Sequence, residues 1–308
     1  MAVAIIFPGQ GAQAVGMGVP WRATPAWELA DRAESLGIDA THLLLAATPD
    51  ELGRTRNSQL SVLLASLMAW ESLRPELEGD GTREAVVAFA GHSLGQVTAL
   101  IAAGALTFAD GLRLALRRAE ATQAAADATP GRMAALLGAT PEQADAAVAD
   151  VADCWVANDN APGQVVIAGT PSGLEAGAAA ARDLGVRKVM NLDVGGAFHT
   201  PLMAAAAADL RPVLGGLPFA DTAVPVVSNT DAMSYVDGGG WTDRLAVHLV
   251  EPVRWRSSMD TLAGLATSWI EVGPGASLAA MAKRGQPQIS VRNVSTPDHL
   301  HRDLLEAR

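Results

Sequence analysis

The chain has 308 residues, of which 49% are hydrophobic and 18% are charged, and its formal net charge is −11. This balance allows a large buried core and argues against disorder. The negative charge argues against a nucleic-acid-binding protein, which needs a basic surface. The one cysteine, Cys154, excludes an internal disulfide framework and a multi-cysteine metal site. We find no secretory signal and no apolar run that could span a bilayer, so we expect a cytoplasmic protein with no membrane contact.

Short apolar runs alternate with longer helical patterns in the outer parts of the chain. Strands are predicted at residues 3–7, 85–90, 224–227 and 269–272. Helices are predicted at residues 26–36, 59–73, 94–103 and 112–126. Strands that alternate with helices are joined by crossover connections, which predicts an α/β fold with a mainly parallel sheet.

The middle of the chain has a different pattern. Its elements are predicted in the order strand 132–137, helix 141–151, strands 155–158 and 164–168, helix 172–184 and strand 186–192. This βαββαβ order is the ferredoxin-like plan. We therefore predict a small ferredoxin-like subdomain at residues 129–195, inserted into a large domain formed by residues 1–128 and 196–308. A cleft between the two is the natural place for a ligand.

The second predicted strand runs directly into Gly91-His92-Ser93-Leu94-Gly95, and a helical pattern follows. This is the G-x-S-x-G nucleophile elbow in the strand–turn–helix context that it requires. The glycines permit a sharp turn that exposes the serine hydroxyl, and the helix amides face the oxygen on which negative charge develops. Ser93 is therefore the candidate nucleophile. The alternative is a capping serine in an ordinary glycine-rich turn.

A serine nucleophile needs a base, and histidine is the most common one. His92 adjoins Ser93, but neighbouring side chains on an extended strand point to opposite faces. His199 lies in a loop after a predicted strand, where catalytic groups are often found, so we take it as the first candidate and His248 as the second. The other histidines are His42 and, in a polar C-terminal tail, His299 and His301.

The loop after the first strand has three possible interpretations. Its sequence is Phe7-Pro8-Gly9-Gln10-Gly11-Ala12-Gln13. A dinucleotide fingerprint is weak, because Ala14 stands at its third glycine and no acidic partner follows a second strand. A loop whose backbone donates a second hydrogen bond to the oxyanion fits better. A plain tight turn is the third interpretation.

Several separate motifs occur together and in a fixed order. They are Phe7-Pro8-Gly9-Gln10-Gly11, Gly91-His92-Ser93-Leu94-Gly95, Asn158-x-Asn160-x-Pro162-Gly163-Gln164, Gly196-Ala197-Phe198-His199, Glu251-Pro252-Val253-Arg254-Trp255 and Glu271-Val272-Gly273-Pro274-Gly275. On these motifs the chain resembles the malonyl-CoA:acyl carrier protein transacylases of fatty acid synthesis and the acyltransferase domains of polyketide synthases. The resemblance implies an α/β hydrolase-like core with an inserted ferredoxin-like subdomain.

The resemblance also assigns roles at the reacting centre. Ser93 is implied as the nucleophile and His199 as its base. The backbone amides of Gln10 and Leu94 are implied as the oxyanion hole. The family orients its histidine with main-chain carbonyls, and the matching carbonyl is expected at Glu251.

Further roles concern the acyl group. Arg118 matches the arginine that grips the malonyl carboxylate, for which a planar guanidinium is well suited; without the resemblance it would be a solvated helix charge. Gln59 is expected to line the pocket, and Asn158 and Asn160 are expected to order the cleft. Phe198 leaves little room beside the α-carbon, which favours malonyl over methylmalonyl.

The implied reaction moves a malonyl group from malonyl-CoA to the phosphopantetheine thiol of an acyl carrier protein, through a malonyl-serine. It implies no metal and no bound cofactor, and we expect a monomer that binds the carrier protein transiently. Some positions depart from the family: Leu60, Gln96, Thr122 and His248 replace a proline, a glutamate, a methionine and a glutamine.

Other functions stay open from the sequence. A stand-alone polyketide acyltransferase or a malonate decarboxylase subunit would share the motifs but could prefer another acyl group. A serine thioesterase or esterase would add an acidic residue, for which Asp298 beside His299 is the only suggestion. A non-catalytic scaffold that kept the fold is disfavoured by the complete set of Ser93, His199 and Arg118.

Overall fold

A computed structural model describes residues 1–78 and 84–300. Within them the strands are β1 (Ala2–Phe7), β2 (Ala85–Gly91), β3 (Arg132–Leu137), β4 (Cys154–Ala161), β5 (Gln164–Gly169), β6 (Lys188–Asn191), β7 (Val226–Val227), β8 (Ser234–Tyr235), β9 (Ser268–Val272) and β10 (Ser290–Val294). The α-helices are α1 (Glu28–Glu34), α2 (Ala40–Leu45), α3 (Pro49–Gly53), α4 (Thr55–Glu78), α5 (Gly95–Ala102), α6 (Phe108–Ala128), α7 (Pro141–Val148), α8 (Pro171–Asp183), α9 (Ala204–Gly215), α10 (Trp241–His248), α11 (Trp255–Leu265) and α12 (Ser277–Gly285). None of these helices is long and apolar enough to cross a bilayer.

The larger sheet has the strand order β10-β9-β1-β2-β7-β8. All neighbours are parallel except β7 and β8 at one edge. The central strand β1 is buried on both faces, as parallel strands between helical layers are. Ile5 and Phe7 pack into one apolar cluster and Ala4 and Ile6 into another. The prediction of an α/β fold with a mainly parallel sheet is confirmed.

The sequence pattern missed the two edge strands of this sheet. β10 has only one fully buried residue, and β8 is two residues long, so neither produces an apolar run. The strand predicted at 224–227 is shorter in the structure, where β7 contains only Val226 and Val227. Edge strands are half-solvated, which removes the signal that identified β1 and β2.

A second sheet has the antiparallel order β4-β5-β3-β6. One face packs against α7 and α8 through residues such as Leu136, Ile167 and Leu174. The other face packs on Ala197 and Phe198, in the loop that follows β6. A bridge between Asn158 and Val253 also ties β4 to the loop after α10. The sheet therefore covers the carboxyl end of the larger sheet, where ligands bind in open α/β folds.

Close backbone packing surrounds the turn after β2. A Cβ atom on Gly95 would overlap the carbonyl group of Phe7, and one on Gly91 would overlap the backbone of Gly95. Both glycines are required because β1, β2 and the start of α5 approach closer than any side chain allows.

We predict that Gly95→Ala lowers the free energy of unfolding by about 1–3 kcal/mol, or prevents folding, because the methyl group overpacks a backbone contact. Gly264→Ala is the matched control: Gly264 lies in α11, and beyond its own helical backbone no atom of the described residues lies within 4 Å of the added Cβ. It should stabilise the protein by up to about 1 kcal/mol. Urea unfolding of both variants measures the difference, and equal effects would contradict the close packing.

Candidate active site

Ser93 lies in the turn between β2 and α5 with a backbone φ of 53°. This left-handed conformation is uncommon for a residue with a side chain and marks a strained turn. The preceding residue is held to β1 by a 3.0 Å hydrogen bond from the His92 amide to the Phe7 carbonyl. The hydroxyl of Ser93 is thereby raised at the carboxyl edge of the sheet, as an elbow requires.

His199 meets Ser93 from the loop after β6. Its Nε2 lies 2.7 Å from Ser93 Oγ, a direct hydrogen bond between groups 106 residues apart. His199 also has a positive φ, 59°, and the Thr200 hydroxyl donates to the Ala197 carbonyl at 2.7 Å within the same loop. The contact has the geometry of a serine and its general base.

The second ring nitrogen of His199 contacts a main-chain carbonyl. Nδ1 donates to the carbonyl oxygen of His248 at 2.8 Å. Sequence analysis placed this carbonyl at Glu251; the structure corrects the residue, although the Glu251 carbonyl also raises the pKa of His199 by a smaller amount. His248 is the last residue of α10, and carbonyls of the last helical turn lack an intrahelical partner. Its oxygen is therefore available to the base.

Burial keeps the base neutral. Desolvation, followed by the positive charge of Arg118, lowers the pKa of His199 from 6.5 to about 3. Burial likewise lowers the pKa values of His92 and His248. Nε2 of His199 is therefore unprotonated at neutral pH and free to accept the serine proton during the reaction, and the imidazolium so formed gives the proton up readily.

Arg118 projects from α6 into the same volume. Its Nη2 donates to Ser93 Oγ at 3.1 Å, and its Nη1 donates to Gln59 Oε1 at 2.6 Å. The residue is only 4% exposed, and its Nε has no hydrogen-bond partner among the described residues. Burial lowers its pKa to about 10, so the guanidinium is still charged at neutral pH. No carboxylate in residues 1–78 and 84–300 pairs with it, which prepares the site for an anionic ligand.

Gln59 binds the Arg118 guanidinium from a second helix, and Thr122, one turn after Arg118 on α6, lies next to this glutamine. Gln59 lies on α4 and its Nε2 is 3.5 Å from Thr122 Oγ1, a long contact. The Thr122 hydroxyl in turn donates to the carbonyl of Arg118 at 2.8 Å. The threonine was noted in the sequence only as a departure, and the structure shows that its hydroxyl faces the pocket glutamine.

The loop after β1 packs directly on the elbow. A Cβ on Gly9 would overlap the His92 carbonyl and lie 3.6 Å from the Leu94 amide nitrogen. Within the described part of the chain, the amides of Gln10 and Leu94 donate to no protein acceptor. No helix begins directly after β1, so the context of a dinucleotide fingerprint is missing. Two free amides beside Ser93 suit an oxyanion.

The two sheets enclose a cleft of about 500 Å³, within the usual range for small-ligand sites. It brings together most of the residues singled out from the sequence, namely Gln10, Gln59, Ser93, Arg118, Asn158, Asn160, Phe198 and His199. Its lining also includes apolar residues that sequence analysis did not identify, among them Met133, Val166, Met190, Leu192 and Met281. Their apolar character alone does not distinguish them from core residues.

The other histidines of the described residues have other hydrogen-bond partners. His92 Nε2 contacts Asn160 Oδ1 at 2.8 Å, and its ring packs edge-on against Trp255. His42 contacts Glu51, and His299 contacts Ser295. His301 lies outside the described residues. Among the histidines that the structure describes, His199 is thus the one whose side chain bonds to Ser93, and Asn160 supports the residue before the nucleophile.

Comparisons with known proteins agree with this geometry. Residues 4–303 match the acyl transferase domain family. The chain belongs to the acyl transferase family. The malonyl CoA-acyl carrier protein transacylase of Synechocystis sp. is 36% identical over 310 residues, covering 98% of this chain and 99% of that protein. This acyltransferase is therefore an enzyme of the class that the family resemblance implied, and that resemblance is confirmed.

Solved structures extend the similarity to the whole fold. A malonyl-CoA:acyl carrier protein transacylase from Xanthomonas oryzae pv. oryzae has a TM-score of 0.91 at 34% identity, with 99% of this chain and 98% of that chain covered. A malonyl-transacylase in complex with a type II polyketide synthase acyl carrier protein has a TM-score of 0.92 at 31% identity, with coverage of 99% and 100%. The acyltransferase shares their architecture across nearly every residue.

We predict that the buried histidines make the acyltransferase sensitive to acid. Below pH 6.5 the unfolded chain takes up protons on His92, His199 and His248, whereas the folded chain resists them because its pKa values are lowered. The unfolded state then binds more protons, so the free energy of unfolding falls as the pH drops from 6.5 towards about 3.

Urea unfolding at several pH values measures this slope. His248→Gln removes one of the three groups, so its stability should fall less steeply than that of the wild-type protein over the same range. Identical slopes for the two proteins would show that His248 takes up its proton equally well in the folded state.

Proposed function

We propose that this acyltransferase moves a malonyl group from malonyl-CoA to the phosphopantetheine thiol of an acyl carrier protein. The observation that carries the proposal is the buried guanidinium of Arg118, 3.1 Å from Ser93 Oγ and without a carboxylate partner among the described residues. An acyl group bound to Ser93 with its own carboxylate would supply the missing negative charge. The names of the similar proteins support the same substrate and acceptor.

The first half-reaction forms the acyl-enzyme. Ser93 Oγ attacks the thioester carbonyl while His199 Nε2 takes the hydroxyl proton. The amides of Gln10 and Leu94 stabilise the oxyanion, a contribution worth on the order of 10²–10³ in rate for each donor. The carbon–sulfur bond then breaks, His199 protonates the coenzyme A thiolate, and the malonyl-serine ester remains with its carboxylate on Arg118.

The second half-reaction reverses these steps with a new thiol. His199 removes the proton from the phosphopantetheine thiol, and the sulfur attacks the ester carbonyl. The carbon–oxygen bond to Ser93 breaks, and the serine oxygen recovers the proton from His199. The side chains supply nucleophile, base and counter-charge, so the scheme requires no metal or bound cofactor. The kinetics should be ping-pong.

The hydrogen-bond partner of His199 Nδ1 favours a transferase over a hydrolase. In the described residues, His199 Nδ1 donates to the main-chain carbonyl of His248 and not to an acidic side chain. The α/β hydrolases that act as esterases complete their triad with Asp or Glu. Asp298, the residue suggested for that role, lies beside His299, which contacts Ser295.

We also propose that the sheet β4-β5-β3-β6, with helices α7 and α8, is a ferredoxin-like subdomain within residues 129–195. It is inserted into an α/β hydrolase-like core. Its support is the element order β3-α7-β4-β5-α8-β6 and the strand order β4-β5-β3-β6. Its sheet covers the cleft, so the subdomain and the loop after β1 border the entrance for the pantetheine arm of both substrates. A monomer contains every group that the mechanism uses.

We predict that Arg118→Ala lowers malonyl transfer by about 10²–10⁴-fold, because two hydrogen bonds to a charged carboxylate are lost. Acetyl transfer, which uses no carboxylate contact, should fall far less. Arg117→Ala is the matched control, since Arg117 is exposed and pairs with Glu120 at 2.9 Å. Initial rates with both acyl-CoA substrates decide the question, and an equal fall in the two rates would exclude the carboxylate role.

Ser93→Ala should abolish acyl-enzyme formation, because no other hydroxyl contacts His199 Nε2 among the described residues. Intact-protein mass spectrometry after mixing with malonyl-CoA detects the adduct directly. A malonyl adduct on the Ser93→Ala variant would identify a different nucleophile.

Phe198→Ala should reduce the preference for malonyl over methylmalonyl by about 10-fold or more, because one methyl group in a tight pocket is worth about 10–200-fold. Phe198→Leu, which removes less volume, should have an intermediate effect. The ratio of kcat/KM for the two acyl-CoA substrates measures the preference. An unchanged ratio in both folded variants would show that the Phe198 ring does not contact the acyl group.

A further inference from the structure

Asn229 lies at the carboxyl end of β7, beside the nucleophile elbow. β7 pairs in parallel with β2, so the residues that follow the two strands meet at one edge of the sheet. Asn229 is 1% exposed and was not among the candidates from the sequence. A buried asparagine at this place needs partners for all of its polar groups.

The side-chain amide of Asn229 spans the elbow. Its Oδ1 accepts a hydrogen bond from the Ser93 amide at 2.8 Å, and its Nδ2 donates to the Gly91 carbonyl at 2.8 Å. An amide N–H can only donate and a carbonyl can only accept, so these two contacts fix the orientation of the side chain. They hold both sides of a turn in which Ser93 has a strained φ of 53°.

The same oxygen also contacts the segment that holds the base. His248 Nε2 lies 3.2 Å from Asn229 Oδ1, and since the oxygen only accepts, Nε2 must be the protonated nitrogen of His248. The main-chain carbonyl of His248 accepts from His199 Nδ1 at 2.8 Å, and the two imidazole rings lie 5.2 Å apart.

Together these contacts form a closed ring of hydrogen bonds. It runs from Ser93 Oγ to His199, from His199 to the His248 carbonyl, and from the His248 ring through Asn229 back to the Ser93 amide. The main chain of Asn229 is itself fixed. Its N–H donates to Gln96 Oε1 at 2.9 Å, and its main-chain carbonyl accepts from the Arg254 N–H at 2.8 Å. The Asn229 side chain thus links the backbone of Ser93 to His248, the residue whose carbonyl holds His199.

We infer that Asn229 is a positioning residue for acyl transfer. Through its hydrogen bonds to the Ser93 amide and to the His248 ring, it sets the distance between the Ser93 hydroxyl and the His199 ring. The inference rests on the proposed transfer reaction and concerns its acylation step. Small displacements of a nucleophile from its base reduce rates strongly, so a rigid connection between their supports has a direct kinetic effect. Asn229 contacts no substrate in this role.

Asn229→Ala should lower kcat for malonyl transfer by about 10- to 100-fold, the effect of losing the shared hydrogen bonds. KM for malonyl-CoA should change little, because Arg118 and Gln59 are untouched. The rate of Ser93 labelling by a fluorophosphonate should fall by a similar factor, since that reaction reports the activated hydroxyl alone. Ser228→Ala is the control: it is buried in the same loop but contacts Thr230 instead of the elbow.

The His248 side chain offers a second test that leaves Asn229 in place. His248→Gln keeps an N–H donor for Asn229 Oδ1, whereas His248→Leu removes the donor and keeps the main-chain carbonyl. Acylation by the leucine variant should be about 10-fold slower than acylation by the glutamine variant. Combining His248→Leu with Asn229→Ala should cost less than the product of the two separate losses, because both remove the same bond.

The outcomes separate this inference from the proposed function. If wild-type protein transfers malonyl and Ser93→Ala does not, yet folded Asn229→Ala keeps the wild-type kcat and labelling rate, the positioning role is refuted and the function stands. Equal acylation rates of His248→Gln and His248→Leu also refute the positioning role. This second test holds even if circular dichroism shows that Asn229→Ala does not fold. A wild-type protein that transfers no malonyl refutes the proposed function instead, and the fluorophosphonate rates then still test the role of Asn229.

Discussion

The hydrogen bond between Ser93 Oγ and His199 Nε2 is the contact around which the cleft is organised. It joins a turn of the large sheet to a loop that follows the last strand of the small sheet, and both residues adopt a left-handed backbone conformation. Such conformations persist only where surrounding contacts determine them. The tight glycine packing below Ser93 and the covering sheet above His199 supply those contacts, so the separate parts of the fold converge on a single distance of 2.7 Å.

The charge of Arg118 explains why this site favours an anionic acyl group. An unpaired buried charge is costly, and burial is what lowers its pKa to about 10. With a pKa of about 10 the guanidinium is still charged at neutral pH, and it donates hydrogen bonds to Gln59 and Ser93. Burial, and after it the same positive charge, lowers the pKa of His199, so the ring is unprotonated at neutral pH. Arg118 therefore contributes both to the site for an anionic acyl group and, as the second cause after burial, to the lowered pKa of the base.

Sequence patterns identified the parts of the site that depend on local geometry. The elbow needs glycines at fixed spacing around Ser93, and the buried parallel strands β1 and β2 need continuous apolar runs, so both are visible in a short window of sequence. Sequence analysis named the Glu251 carbonyl, which has the smaller effect on His199, and missed the His248 carbonyl that accepts from Nδ1 at 2.8 Å, because which carbonyl faces the ring depends on where α10 ends. Asn229 was missed because an asparagine after a two-residue strand resembles any turn residue.

The sequence by itself determined the mainly parallel sheet and the candidate serine of the elbow, since each of these depends on neighbours along the chain, and the resemblance of its motifs to a known family indicated the acyltransferase class. Only the tertiary structure decided which carbonyl holds the base, that Arg118 is buried without a carboxylate partner within the described residues, and that Asn229 connects the nucleophile to its base. Those facts depend on groups between 25 and 138 positions apart, whose distances are set by how the strands of the larger sheet and the helices around it pack. No local pattern encodes such distances, because they result from the packing of the whole chain.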